Sequence, residues 1–552
     1  MSRSKEWVKL STLSLSLAFV LALTGCGSAK SGSGDAAQSP NAKQEAKQTA
    51  VVGGELTYAL ATSPDSLDPH RSGLAVAVRV LRTIFDSLVV QLPDGSIKPW
   101  LATEWTIAPD GLSYIFKLRK DVKFQDGTPF NAEAVKYSYD RILDPTTKAA
   151  NSVALIKPYK SSEVIDEFTI KINLETPSRA FLGNLSQALL GIVSPTAAKK
   201  YGDQFGKNPV GSGPFSFVKW EENASIQVKR SPDYNSAPEI VENKGKSYLD
   251  QITFRIVPEE ATRIGSVQSK QVLAGETVPP QNVVSLKSDT NIQVHQVNTT
   301  GLPYTLFINQ RKAPWSDVKA RQALQAAIDV DAIVKTLYLG TYPRAWSPLS
   351  PGVVGYDASL ENGIKPDVAK ANKLLDELGW VKGADGIRVK DGKKLTLHYV
   401  DGSPNREKRN DIAVIIQQQL KQVGIVVEVE ITKDVANVVY TKGEYDIYGN
   451  SQVNSDPNAL NAFYHTSDPK ARPSLPGLAD PQVDKWLEQG AIEPDDKKRV
   501  ELYKQVQKSI IDNAVIIPIY VFPYTVAASK TVKGLKFDSL GYPLFNDTFI
   551  QK

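Results

Sequence analysis

The sequence predicts an α/β protein of about three domains. Three observations carry this. The chain has 552 residues, against roughly 100–200 for one domain. Strand-like alternation and helix-like three- and four-residue spacing take turns along its length. Residues 395–431 read as strand, helix and strand, a βαβ-like unit. Its hydrophobic fraction of 41% and charged fraction of 23% are those of globular protein and exclude wholesale disorder.

Residues 51–60 alternate as a strand and run into the turn-rich Ser63-Pro64-Asp65-Ser66-Leu67-Asp68-Pro69-His70. Residues 74–90 then place Val78, Leu81, Phe85 and Leu88 on one helical face. Strands at 106–109 and 112–118 flank an Asp110-Gly111 turn, and Asn131 stands as N-cap to a helix that turns Val135, Tyr139 and Ile142 inward. A strand at 168–174 and an apolar helix at 181–190 follow. In Asn208-Pro209-Val210-Gly211-Ser212-Gly213-Pro214-Phe215, two glycines and two prolines mark a sharp turn into a strand at 215–220. Next come a strand at 252–257, a helix holding Ile264 and Val267, and a buried strand at 303–309. Helices at 317–329 and 367–378 follow, the second stopped by Gly379. The βαβ-like unit takes its strands from 395–400 and 425–431 and its helix from 411–423. A helix at 498–511 and an apolar strand at 515–521 close the body.

The N-terminus carries Arg3, Lys5 and Lys9 ahead of an apolar stretch at 10–23, about 14 residues where a bilayer needs ~20. That stretch ends in Leu23-Thr24-Gly25-Cys26, which resembles the bacterial lipobox. The resemblance implies a signal peptide at 1–25, cleavage before Cys26 and a lipid on that cysteine. Residues 26–51, rich in Gly, Ser, Ala, Lys and Gln and without an aromatic side chain, read as a lipidated flexible tether. Cys26 is the chain's one cysteine, so an internal disulfide, a CxxC pair and a thiolate-rich metal site are excluded. The net charge of +5 is too thin to suggest nucleic acid.

Several phrases, in order, resemble the large solute-binding lipoproteins of peptide-type ABC importers, the dipeptide and oligopeptide binders of extracytoplasmic solute-binding family 5. They are Ser66-Leu67-Asp68-Pro69-His70, Pro99-Trp100-Leu101-Ala102, the stretch 124–135 beginning Phe124-Gln125-Asp126-Gly127, and the Gly211-Ser212-Gly213-Pro214 turn. Val318, Arg321, Gln322 and Ala323 within 309–327, and Lys373-Leu374-Leu375 with Gly379-Trp380, continue the match. The resemblance implies a periplasmic-binding-protein-like two-lobe fold, class II-like, with a discontinuous first lobe and an extra inserted domain. Lobe I would take 52–91, 200–295 and 521–552, the insert 92–199, and lobe II 296–520. It further implies a peptide or other small solute as ligand, ABC transporter permease subunits as partners, a monomer, a membrane tether through the N-terminal lipid, and neither cofactor nor metal. The place it implies, after export, is a lipid-anchored one at the outer face of the bacterial cell membrane or its periplasmic face.

Enzymatic signatures are missing. There is no GxSxG or HExxH, His70, His295, His398 and His465 are scattered, and Gly245-Lys246-Ser247 lacks the earlier glycine of a phosphate loop, where Ile240 stands. The expectation is a binding protein, not an enzyme. Its cleft is expected at Asn450-Ser451-Gln452-Val453-Asn454. Dipeptide and oligopeptide binders place there an Asp for the ligand α-ammonium, three residues before the acid of an Asp-Pro or Glu-Pro pair. Here that acid is Asp456, and Val453 stands in the anchor's place. The arginine that dipeptide binders use for the ligand carboxylate aligns with Ser403, leaving Arg406 in the same loop as candidate. Asp456 and Asp68 are alternative acids for an ammonium. Asn450 stands where relatives carry an aromatic residue, so the edge reads as neutral and hydrogen-bonding. Oligopeptides are the first expectation. Oligosaccharides, with Trp315, Trp346 or Tyr464 as platforms, a metal chelate, and a non-transport sensor or adhesin stay open.

Replacing Cys26 with Ser should release the body from membranes. Full sedimentation of Cys26→Ser protein with membranes after a high-salt wash would remove the lipid.

Overall fold

A computed structural model describes residues 49–466 and 474–551. The expected signal peptide, Cys26 and the tether up to residue 48 lie outside them. Among the described residues no helix is long and apolar enough to cross a membrane.

Three sheets organise the chain. The first has seven strands, in the order Ile292–Asn298, Pro523–Ser529, Ala274–Glu276, Glu55–Leu60, Gln251–Ile256, Ser225–Arg230 and Phe215–Glu221. The second has five: Val426–Thr432, Thr396–Gly402, Ile447–Val453, Gly301–Ile308 and Ile516–Tyr520. The third, four-stranded and antiparallel, takes Ala102–Ile107, Ser113–Leu118, Thr169–Leu174 and Tyr159–Asp166. Each packs its own apolar core. The expected βαβ unit is present: Thr396–Gly402 and Val426–Thr432 pair in parallel, joined through the helix Arg409–Gln422.

The first and second sheets are joined by two short crossings, at 299–300 and 521–522. The crossings touch: Thr299 donates its N–H to the Phe522 carbonyl at 3.0 Å and its hydroxyl to the same oxygen at 2.8 Å.

Three helices depart from the sequence reading: the one expected at 181–190 spans only Ala180–Asn184, with a separate single turn at Ala188–Leu190, and two others depart for a tertiary reason. The helix expected at 74–90 spans Ala75–Ile84, and Phe85 is already extended. The Ile84 carbonyl is taken by the Gly213 N–H at 2.8 Å and by Gln125 Nε2 at 3.2 Å. The turn presses so close that a Cβ on Gly213 would lie 2.6 Å from the Ile84 carbonyl carbon. The helix expected at 317–329 ends at Ala327, and Asp329 instead caps a second helix, Val330–Tyr338, by accepting from the Ala332 N–H. Asn131 caps as expected, its Oδ1 accepting from Ala134 at 3.1 Å.

Two buried polar centres tie the first sheet's loops together. Asp68 and His70 both meet Arg141, which donates from Nη1 to Asp68 Oδ1 at 3.0 Å and to His70 Nδ1 at 2.9 Å. His70 Nε2 therefore carries the proton and donates to the Gly191 carbonyl. Burial, with the Arg141 charge adding to it, pushes His70 down to about 4. Asp86 accepts from the Ser236 and Ser212 hydroxyls, yet burial outweighs both and pushes it up to about 7.

These shifts act on stability with opposite sign. The unfolded chain protonates His70 near 6.5 while the fold waits until about 4, so His70 removes stability as pH falls through that window. Asp86 keeps its proton in the fold up to about 7 against 3.8 unfolded, so it removes stability as pH rises through that window. In urea unfolding at two pH values, His70→Gln should cost less at the lower pH and Asp86→Asn less at neutral pH. The reverse order would contradict the assignment.

Candidate functional site

The strand Ile447–Val453 has an unusual edge. On one side it pairs antiparallel with Gly301–Ile308 along its length. On the other, Thr396–Gly402 accompanies it only at Tyr399 opposite Ile447 and Val400 opposite Tyr448. From Gly449 to Val453 that side has no strand partner among the described residues. An edge of this kind presents main-chain donors and acceptors to whatever lies beside it. The Ser451 N–H is held by the neighbouring Asn450 Oδ1 at 2.8 Å.

Alternate side chains leave the strand on opposite faces. Asn450 and Gln452 border a cavity of about 310 Å3 walled by Tyr440, Ala462, Phe463 and Leu475, with Ser451 at its rim. Such a volume lies at the lower end of small-ligand pockets. Asn450 Nδ2 donates to the Tyr440 hydroxyl at 3.1 Å. On the other face Gly449 leaves room for the Tyr304 ring, which a Cβ there would overlap.

Tyr304 begins an aromatic stack. Its ring lies 5.0 Å from Tyr520, which contacts Tyr338 at 4.9 Å, and Tyr338 stacks on Tyr342 at 4.3 Å. Arg409 covers the open face of Tyr304 at 4.3 Å. Its Nε donates to Glu407 Oε2 at 2.9 Å and to the Tyr520 hydroxyl at 3.2 Å, and its Nη2 reaches the Ser451 hydroxyl at 3.0 Å. Burial pushes the Glu407 carboxyl up, but the Arg409 and Arg406 charges outweigh it and hold it below the usual carboxylate range. Nearby Asp401 is buried and pushed upward, even though its Oδ1 accepts from the Gly402 N–H.

The residues singled out in the sequence fall into two sets. Asn450, Ser451 and Gln452 line the cavity together. Val453 is exposed at the end of the open edge. Asn454 is committed to the turn: its N–H donates to the Thr300 carbonyl and its Oδ1 accepts from Asp456. Arg406 points its charge to solvent, 70% exposed, with Glu407 Oε1 at 3.5 Å. The guanidinium that reaches Ser451 belongs to Arg409, which the sequence reading missed. Nothing local in the sequence distinguishes it from the other charges of that loop, because its position follows from the backbone turn before it. Asp68 and Asp456 are both spoken for within the fold, Asp456 by Arg499 at 2.7 Å and by the Asn458 N–H. Trp315 and Tyr464 are core residues, and Trp346 lies beneath Arg344 at 4.2 Å. Among the described residues no cluster of His, Cys, Asp or Glu could hold a metal ion.

Comparison with known proteins defines the class. The family described as bacterial extracellular solute-binding proteins, family 5 Middle, matches residues 96–473, well over half of the chain, and the chain belongs to this family. It is 28% identical over 496 residues to the glutathione-binding protein GsiB of Escherichia coli (strain K12), covering 87% of this chain and 91% of that one. Among solved structures it resembles the ABC transporter-associated periplasmic binding protein DppA from Helicobacter pylori in complex with the peptide STSA. The TM-score is 0.74 at 26% identity, covering 91% of this chain and 99% of that one. It also resembles NikA from Brucella suis in complex with Fe(III)-EDTA, with a TM-score of 0.79 at 25% identity over 90% of this chain and all of that one. The fold is thus the periplasmic-binding-protein-like α/β fold expected from the sequence.

Gly449→Ala should drive a methyl group into the buried Tyr304 ring and lower unfolding stability by about 1–3 kcal/mol. Gly265→Ala, on a helix with open space around it, should be neutral or mildly stabilising. Denaturant midpoints check both, and equal effects would contradict the contact.

Proposed function

We propose that this chain is the extracytoplasmic binding subunit of an ABC importer, tethered through a lipid on Cys26, that captures an extended oligopeptide-like solute and presents it to permease subunits. The observation that carries the reading is the unpaired edge from Gly449 to Val453, with a side-chain cavity on one face and the Arg409–Ser451 donors on the other. A peptide laid along it adds main-chain hydrogen bonds as a further strand would, and places alternate side chains on the two faces. The ligands named for the relatives, glutathione for GsiB and the peptide STSA for DppA, support a peptide-type solute. Lobes at 52–91, 200–295 and 521–552 and at 296–520, with the insert at 92–199, close on the solute by rotation about the paired crossings.

Among the described residues the cleft holds no spare carboxylate at the end of this edge. Val453 occupies that place, and Asp456 and Asp68 are engaged elsewhere. A free α-ammonium therefore gains no charge-assisted hydrogen bond there, a contact worth roughly 1.5–3 kcal/mol where it exists. Calorimetry with free and N-acetylated forms of one bound peptide should give affinities within about threefold of each other. Val453→Asp should favour the free amine by about ten- to a hundredfold. A strong preference for the free amine in the unaltered protein would contradict this placing of the ligand. Failure to bind any member of a broad peptide library would remove the peptide reading itself.

A further inference from the structure

We propose that Glu407 masks the charge of Arg409, so that the cleft accepts an uncharged hydrogen-bond acceptor, a main-chain carbonyl or carboxamide, as readily as a carboxylate. The inference rests on the peptide reading above and names the chemistry that its Arg409 face selects.

Arg409 spends Nε and one Nη2 hydrogen on Glu407 Oε2 and the other Nη2 hydrogen on the Ser451 hydroxyl. Nη1 has no hydrogen-bond partner among the described residues. The Ser451 oxygen accepts from Arg409, which leaves its own hydrogen to donate. Two donors, Nη1–H and Oγ–H, thus sit beside the unpaired edge. They call for an acceptor.

The charge balance decides which acceptor. The side chains of Glu407 and Arg409 are only 12% and 14% exposed, so their charges meet with little water between them. The acids near this guanidinium are Glu407 and Asp401, and the turn's further cations are Lys408 and the solvent-facing Arg406; Arg409, not Lys408, holds the Glu407 carboxylate at salt-bridge distance. A ligand carboxylate entering here gives up its hydration and meets a guanidinium already neutralised. A neutral carbonyl accepts the same two hydrogen bonds at a smaller desolvation cost.

The mask is built into the backbone. Glu407 and Lys408 both have left-handed dihedrals, φ 50° and ψ 30°, then φ 57° and ψ 30°, at the start of the helix Arg409–Gln422. Side-chain-bearing residues keep such a conformation only where the surroundings enforce it. Here the Tyr338 hydroxyl holds the Glu407 carbonyl at 2.7 Å and the Tyr520 hydroxyl holds its carboxylate at 2.8 Å. The turn is pinned at both ends of one residue, and the result is a carboxylate against the Arg409 guanidinium.

The test offers the protein an N-acetylated random tripeptide library in matched carboxylate and carboxamide forms, and quantifies retained peptides by mass spectrometry after gel filtration. The unaltered protein should retain the two forms within about threefold of each other. Glu407→Gln, which keeps the shape and the acceptor for Tyr520 but removes the charge, should shift retention toward carboxylates by about ten- to a hundredfold. The double variant Glu407→Gln/Arg409→Gln should lose that shift. A tenfold or greater carboxylate preference in the unaltered protein overturns the inference, as does a folded Glu407→Gln protein with an unchanged ratio. If Glu407→Gln does not fold, the ratio in the unaltered protein decides alone. Retention of neither form removes the peptide reading and this inference with it, whereas retention with the wrong ratio removes only the mask.

Discussion

One antiparallel ribbon holds this molecule together. The chain segments 292–308 and 516–529 lie side by side through two different sheets. In the first, Ile292–Asn298 pairs with Pro523–Ser529, and in the second, Gly301–Ile308 pairs with Ile516–Tyr520. Only two residues of each segment fall between the sheets, and there Thr299 remains hydrogen-bonded to Phe522. Each segment exchanges roles at the crossing. Each is an edge strand before its crossing and an interior strand after it, so each sheet takes its edge strand from one segment and the neighbouring interior strand from the other. The proposed rotation of one sheet against the other would turn about these two adjacent, short crossings.

The candidate site grows from the same ribbon. Gly301–Ile308 is the partner that holds Ile447–Val453 in register, and it does so from the first residue past the crossing. Gly301, with φ near 133°, passes so close to Gln452 that a side chain would overlap its carbonyl. Tyr304 and Tyr520 are cross-strand partners in the ribbon, and both contact Arg409. A rotation at the crossings therefore starts within two or three residues of the groups that would touch a solute. On the proposed reading, recognition and closure would share one set of side chains.

The sequence made much of this legible where the signal is local. Alternation located the strands, Asn131 marked a helix start, and the 395–431 unit announced a parallel pair. The Ala75–Ile84 helix was overextended because what stops it, the Gly211–Gly213 turn, lies well over a hundred residues away. The site was half legible for the same reason. Asn450, Ser451 and Gln452 declared themselves by their place before Asp456-Pro457, whereas Arg409 did not. Its orientation depends on left-handed dihedrals at Glu407 and Lys408 and on hydroxyls from Tyr338 and Tyr520, none of which leaves a local pattern. Likewise, Asp68 and Asp456 looked available until their arginine partners, Arg141 and Arg499, were placed beside them.

The central claim is that a solute held at the open edge draws the two sheets together about the ribbon. Small-angle X-ray scattering tests it most directly, on the unaltered protein with and without a saturating peptide whose binding calorimetry has established. The account predicts a smaller radius of gyration in the bound state. An unchanged radius of gyration, with binding proven, would contradict it.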